Sequence, residues 1–458
     1  MLRVLVVAET RSVVSRHGTD DPAHALRVPR ARLAHASRTH CARLTHALRT
    51  PRARTARAGG RSRVRACRHT GGMSTEPTFA DLGEDRIVAR ILARIPAAEQ
   101  VLIGPGDDAA VSEAPGRLVS TADMLVEGED FLHGWLDPRR LGVKAAAQNL
   151  ADVCAMGARP TGLLLSLAAP GSTSAAFVDG LVDGLVEEAA RAGASVLGGD
   201  LSEAPQIVIA VTALGSLPVD ALPFTRTAAE AGYDVLLGGQ TGWAAAGLDL
   251  LLASGGVLPD SVPPLHARAI EAQRAPRPEY ESVDVLRTSL DAFGAVGEDS
   301  AAGWAADATR AALIDLSDGL ASDAGRMARA SGVVIDLDGT ALDALAQDLI
   351  PLAADVLARR GAPESSGDDA ATGEDRALAL ARRWVLTGGE DHGFLTAVPA
   401  GADPLGWTSI GRVRSVTGSG DDALGSPGVC VDGVPLADSG FVRADPDGGF
   451  RHFSGVEG

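Results

Sequence analysis

Ala311-Ala312-Leu313-Ile314-Asp315-Leu316-Ser317-Asp318-Gly319-Leu320 is the stretch on which the fold turns. Four apolar residues, 311–314, read as a short buried strand, and 320–330 reads as a helix. Between them two carboxylates and a serine sit in a turn closed by glycine. A strand running into a helix through a polar turn is the building unit of an α/β protein, and such proteins place ligand sites in their strand-end loops. Alone the turn is ambiguous, because Ser317 or Asp318 would serve equally well as an N-cap for the helix that follows.

The same alternation extends outward in both directions. Downstream of residue 221 the pattern predicts a strand at 234–238, a helix at 243–253, and strands at 333–337 and 384–386. Upstream, apolar Ile87, Ile91, Leu92 and Ile95 recur at helical spacing across 83–95, and Pro96 closes that helix. Strands follow at 101–103, 118–121, 162–167, 194–197 and 206–215, with helices at 138–156 and 175–192. These spans predict two α/β domains, 73–220 and 221–458. Two Gly-, Ala-, Ser- and acid-rich stretches, 291–307 and 361–374, read as exposed insertions into the second.

At 458 residues the chain is longer than one core usually organises, which agrees with two domains. A hydrophobic fraction of 45% with only 3% aromatics suits an Ala-, Val- and Leu-built α/β protein. No apolar run reaches the roughly 18 residues of a spanning helix. The apolar start lacks the length of a secretory segment, so export is not expected and a cytoplasmic location is. Residues 1–72 carry 16 arginines against 3 acidic residues, whereas 73–458 carry 26 basic and 56 acidic residues. The Arg-rich segment 1–72 has no amphipathic period and is expected to be an unstructured extension or translation from a misassigned start. The acidic remainder argues against nucleic-acid or anionic-membrane partners, and an anionic substrate would have to be met by metal ions or local arginine. Cys41, Cys67, Cys154 and Cys430 lack C-x-x-C spacing, so neither a zinc site nor a disulfide framework is expected. The single lysine, Lys144, reads as coding bias.

Chemistry is concentrated in acidic motifs. Gly106-Asp107-Asp108 forms a tight turn; Asp123 ends the strand that begins at Leu118; Asp200 follows an apolar strand in Gly198-Gly199-Asp200. Asp152 lies on the helix of Lys144 and Gln148, whose i, i+4, i+8 spacing aligns the three on one face. With Asp315 and Asp318 these carboxylates would repel by about 4 kcal/mol per close pair at an effective dielectric near 20. A cluster of that kind needs cations, and oxygen ligands select magnesium. There is no G-x-x-x-x-G-K-[ST] loop and no protein-kinase triplet, so any nucleotide site is of another type.

Taken in order, Gly106-Asp107-Asp108-Ala109-Ala110, Thr121-Ala122-Asp123-Met124-Leu125-Val126-Glu127-Gly128, Asn149-Leu150-Ala151-Asp152-Val153-Cys154-Ala155-Met156-Gly157-Ala158, Gly198-Gly199-Asp200, Ile314-Asp315-Leu316-Ser317-Asp318-Gly319-Leu320 and Gly388-Gly389-Glu390-Asp391 resemble the thiamine-monophosphate kinase family. That family belongs to the superfamily of aminoimidazole ribonucleotide synthetase and selenophosphate synthetase. The resemblance spans about residues 80–455. It implies ATP-dependent phosphorylation of thiamine phosphate to thiamine diphosphate by direct in-line transfer. It also implies a homodimer whose N-terminal domains close a β-barrel across the interface, with the active site between the N- and C-terminal domains. By motif position, several magnesium ions would be held by Asp108, Thr121, the Ala122 carbonyl, Asp123, Asp152, Asp200, Asp315 and Asp318. Turnover would depend on Asp152, Asp200 and Asp318. Thr121, Arg226 and Ser317 would contact ATP, and Asp130, Glu390 and Phe450 the thiamine moiety. The chain has Asp130 where the family has histidine in its G-x-H-F segment, and His133 is a nearby substitute. The alternatives are another ATP-using enzyme of the superfamily, such as an aminoimidazole ribonucleotide synthetase, a magnesium-dependent phosphohydrolase, or a non-catalytic metal-binding module.

Overall fold

The computed structural model describes residues 76–132, 134–256, 261–296, 311–361, 372–416 and 426–441. Segment 1–72, His133 and Phe450 lie outside the described residues, as do 297–310 and 362–371 within the two expected insertions.

In the N-terminal half the elements run α1 (Phe79–Leu82), α2 (Glu84–Leu92), β1 (Val101–Ile103), β2 (Val111–Ser112), β3 (Arg117–Val126), α3 (Pro138–Ala155), β4 (Arg159–Ala169), α4 (Ala175–Arg191), β5 (Ser195–Glu203) and β6 (Val208–Leu217). Four strands form one sheet in the order β3-β6-β4-β5. Its pairs are antiparallel except β4–β5, which is parallel and joined through α4. Asp137 caps α3 by accepting from the Arg140 N–H at 3.1 Å, with Pro138 in the first helical position, where a missing N–H costs nothing. Ser174 caps α4 in the same way at 3.2 Å.

α3 and α4 cross at unusually short range because glycine stands at the crossing. A Cβ on Gly142 would lie 2.0 Å from the Leu181 carbonyl oxygen, and one on Gly184 would lie 1.9 Å from that of Arg139. Only glycine fits such an approach. α3 is buried almost all round, including Lys144, Gln148 and Asn149. It is therefore a central helix rather than a surface one.

The second half runs β7 (Asp234–Gly238), α5 (Trp243–Ala253), α6 (Pro264–Arg274), α7 (Tyr280–Val296), β8 (Ala312–Asp315), α8 (Leu320–Ser331), β9 (Val334–Leu337), α9 (Gly339–Gln347), α10 (Ile350–Arg360), α11 (Gly373–Thr387), β10 (Phe394–Val398), β11 (Trp407–Arg414), β12 (Gly428–Val431) and β13 (Val434–Pro435). Its sheet has the order β13-β12-β9-β11-β7-β10-β8, antiparallel except for β12 beside β9. Alternate residues sort into two cores, as the pleat requires. Val235, Leu237, Ile314 and Leu395 pack with Trp243, Leu320, Met327 and Val385 of α5, α8 and α11. Leu236, Leu313 and Phe394 face the other way, against Val283, Leu286 and Leu290 of α7, in a core continuous with the four-stranded sheet. Both faces are covered, which is why β10 is apolar along nearly its whole length and buried throughout. Glu188 of α4 joins the halves: fully buried, it accepts from the Tyr280 hydroxyl at 2.8 Å and from Arg277 at 2.6 Å.

Several expectations need correction. Residues 384–386 are not a strand but the end of α11, whose apolar triplet is its buried side. α11 opens on a capping box, Thr372 with Asp375, inside a stretch read as insertion. Residues 291–296 extend α7 rather than opening an insertion. Asp123 and Asp200 do not follow strands; they lie within β3 and β5, which run on past them.

Candidate active site

The centre of the site is the face of α3 that meets β8. Thr121, on β3, donates its hydroxyl to Asp152 Oδ2 at 2.9 Å. The Asp123 N–H donates to Asn149 Oδ1 at 2.9 Å, while Asn149 Nδ2 is held by the Ala145 carbonyl at 2.9 Å. β3 and α3 are thereby locked in register. Burial, then the charges of Asp315 and Asp123, push the Asp152 carboxyl well above the usual carboxylate range, against the Thr121 hydrogen bond and the Arg226 charge. Carboxylates from both halves of the chain thus act on one another, with Arg226 near enough to oppose them.

The Asp315–Gly319 turn is clamped by the segment that follows α11. The Leu316 N–H donates to the Gly393 carbonyl at 2.7 Å, and the N–H groups of His392 and Glu390 donate to Leu316 O at 3.1 Å and Ser317 O at 3.0 Å. Glu390 and His392 have positive φ, 70° and 52°. For residues with a Cβ that conformation costs roughly 1–2 kcal/mol each, and it persists here because these backbone bonds over-determine it. His392 Nδ1 lies 3.4 Å from Asp315 Oδ2, buried. Arg326 bridges Asp318 and Asp323. Burial raises the Asp323 carboxyl to about 8, with Arg326 opposing and the charges of Asp318 and Asp315 adding to it. Asp318 Oδ1 is buried without a hydrogen-bond partner.

Some distance along α3, Lys144 Nζ lies 3.0 Å from Glu390 Oε1 and donates to the Gln273 carbonyl at 3.2 Å. Gln273 Nε2 closes the triangle on Glu390 Oε2 at 3.3 Å. The lone lysine is therefore a fully buried ion-pair partner, not a compositional accident. Its signal was its place on the Gln148–Asp152 face. Asp391 points elsewhere: its oxygens accept from the Gly242 N–H at 2.7 Å and the Ala244 N–H at 3.0 Å at the start of α5, and burial raises it to about 7.

Of the other expected residues, Asp130 is buried and accepts from the Val126 N–H at 2.8 Å, bracing the Gly128 turn. Phe131 and Glu127 of that turn line a separate cleft with Trp135, Ser174, Phe177 and Arg274. Ala122 is exposed, and Ser317 and Arg226 are half-buried. Asp108 is exposed, its N–H bonded to Asp107 Oδ1 at 2.8 Å, and Asp200 is exposed on β5. β5 and β3 are opposite edges of the four-stranded sheet, three strand spacings or roughly 14 Å apart. Asp123, Asp152, Asp315 and Asp318 are thus brought towards one another, and Asp200 is not. Among the described residues no three acidic, histidine or cysteine side chains are already grouped to hold a metal ion. The oxygen-only donor set and the orphaned Asp318 oxygen nonetheless fit a hard cation such as magnesium. No helix among the described residues is long and apolar enough to cross a membrane.

The chain resembles known proteins over most of this architecture. Residues 106–217 match the family of AIR synthase related protein, N-terminal domain. Thiamine-monophosphate kinase of Mycobacterium tuberculosis is 39% identical over 344 residues, covering 74% of this chain and 88% of that protein. That of Corynebacterium glutamicum is 36% identical over 341 residues, with the same two coverages. Among solved structures, thiamine-monophosphate kinase from Stenotrophomonas maltophilia superposes with a TM-score of 0.55 at 27% identity, covering 76% of this chain and 95% of that one. A structure of AaThiL complexed with AMPPCP and TMP gives 0.52 at 25% identity, covering 76% and 92%. With that identity and coverage, the chain belongs to the thiamine-monophosphate kinase family.

Proposed function

We propose that the chain transfers the terminal phosphoryl group of ATP to thiamine phosphate, giving thiamine diphosphate and ADP by direct in-line displacement. The observation that carries this reading is the seam in which Asp152, bonded by the Thr121 hydroxyl, shares its buried surroundings with the charges of Asp315 and Asp123, so that burial first and those charges second hold its carboxyl well above the ordinary range. Carboxylates are gathered at such a cost where cations and phosphates are to be received. The names of the relatives, and the AaThiL complex with AMPPCP and TMP, support the same donor and acceptor.

Magnesium ions, when bound, would neutralise the two phosphate chains and the charge that develops between them. Asp123, Asp152, Asp315 and Asp318 are the residues to hold them, with Thr121 and the Ala122 carbonyl beside them. Asp108 and Asp200 belong to the same set by motif. Arg226 and Ser317 would meet the phosphates of ATP. Glu390, Asp130 and Phe450 would face the thiamine moiety. The acceptor is a phosphate oxygen that needs little deprotonation, so positioning and charge neutralisation suffice and no general base is assigned.

We place the domain boundary near residue 220 and propose a homodimer. The four-stranded sheet ends in two long edge strands, β3 and β5, and leaves Leu118 and Leu164 exposed. Edges of that length need covering, and pairing with a second copy would close the sheets into a barrel. The test of the activity is direct: incubate the chain with ATP, magnesium and thiamine phosphate, and follow ADP and thiamine diphosphate together. Equal formation of both is expected. ADP without an acceptor would favour a phosphohydrolase, and absence of thiamine diphosphate would overturn the reading.

A further inference from the structure

Lys144 and Asp152 stand eight residues apart on one face of α3, or about 12 Å along its axis. Asp152 marks the carboxylate seam, where phosphates are to be received. Lys144 marks a different chemistry at the other end of the same face, a buried pairing with Glu390 in which Gln273 takes part through both its carbonyl and its side-chain amide. Thiamine phosphate has the matching polarity, a phosphate at one end and a cationic ring system at the other. Three separate elements supply the triangle: Lys144 from α3, Gln273 from α6, and Glu390 from the left-handed turn after α11. A buried carboxylate without a cation would be expensive to keep in place.

We infer that Lys144 is a positioning residue for the acceptor: with Gln273 it fixes the Glu390 carboxylate at the end of α3 where the organic part of thiamine phosphate is read. The inference rests on the proposed activity and on Glu390 facing the thiamine moiety. Lys144 acts through Glu390, so its removal must weaken acceptor binding without weakening ATP, and must do nothing further once the Glu390 charge is gone.

The experiment compares wild type, Lys144→Met, Glu390→Gln and the double variant in initial-rate assays of thiamine diphosphate formation, varying ATP and thiamine phosphate independently. Lys144→Met is expected to raise KM for thiamine phosphate by about tenfold and to leave KM for ATP within about twofold. The double variant is expected to match Glu390→Gln in KM for thiamine phosphate within about twofold, as coupled neighbours do. That comparison stands even where Lys144→Met alone does not fold, because the double variant leaves no uncompensated charge in the core. Multiplying effects in the double variant, or KM for ATP rising in step with that for thiamine phosphate, would overturn the proposal. A wild-type chain that makes no thiamine diphosphate would instead overturn the underlying activity.

Discussion

Gly142→Ala tests whether the site depends on how closely two helices approach. The new Cβ would sit 2.0 Å from the Leu181 carbonyl oxygen and 2.8 Å from the Leu185 nitrogen, both backbone atoms of α4 that cannot rotate away. Ordinary contact begins near 3.4 Å, so α3 and α4 must part by about 1.4 Å. Alanine gains about 1 kcal/mol of helix propensity over glycine. Overpacking costs up to about 3 kcal/mol, leaving a net loss near 2 kcal/mol. For a chain of 458 residues, at about 2.1 cal/mol/K of unfolding entropy per residue, that lowers the thermal midpoint by roughly 2 °C. The effect on rate should be larger. Residues 142 and 144 lie about 200° apart around a helix, so the face opposite the clash carries Lys144, with Asp152 on its flank about 80° from the clash. Pushing α3 off α4 drives that face into β8 and the Glu390 turn. A displacement of about 1 Å at such a site costs on the order of 100-fold in kcat. Gly373→Ala is the control, since its Cβ would meet nothing within 4 Å. Differential scanning calorimetry and kcat at saturating substrates measure both effects. A Gly142→Ala protein with wild-type midpoint and wild-type kcat would refute the reasoning.

Three further outcomes are expected. Asp152→Asn removes a charge repelled by Asp315 and Asp123, so the metal-free protein should be at least as stable as wild type. It should lose magnesium-dependent stabilisation and about 1,000-fold in kcat, and near-normal turnover at saturating magnesium would sink the metal assignment. Asp391 has its folded pKa raised from 3.8 to about 7, so the stability it contributes is whole below pH 4 and is lost as pH rises towards 7. The span is worth about 4 kcal/mol at most. Asp391→Asn should flatten the fall in thermal midpoint across that range, and an unchanged slope would count against the account. Thr372→Ala breaks the capping box of α11 and should cost about 1 kcal/mol by urea unfolding, with both KM values unchanged. Stability equal to wild type would show that α11 does not rely on its cap.

Where a residue's neighbours are sequence neighbours, the sequence is a good guide, and where they come from another element it is not. α5 was legible end to end because an apolar and alanine stretch, broken only by Gly247 and Asp249 and bounded by Gly242 and Ser254, leaves little else for Trp243–Ala253 to be. Residues 384–386 were misread because a short apolar run looks the same in a buried strand and on the inner side of a helix. The capping residues that settle the matter, Thr372 and Asp375, lie well upstream at the helix start. Within the site, Asp315 and Asp318 declared themselves through a glycine-closed turn at a strand end, and Asp152 through its helical spacing from Gln148. Lys144 shared that spacing and nothing more, since nothing else local distinguishes a lysine in an alanine-rich helix from a solvated one. Its meaning depends on Glu390, 246 positions later, and on Gln273, which carried no motif. Asp200 failed in the opposite way. Its glycine-rich setting after an apolar run promised convergence, but sheet order decides distance, and β5 lies on the edge opposite β3, the strand that carries Asp123. Local sequence says which residues carry charge; only the order of strands and the crossing of α3 over α4 says which of those charges must share a cation.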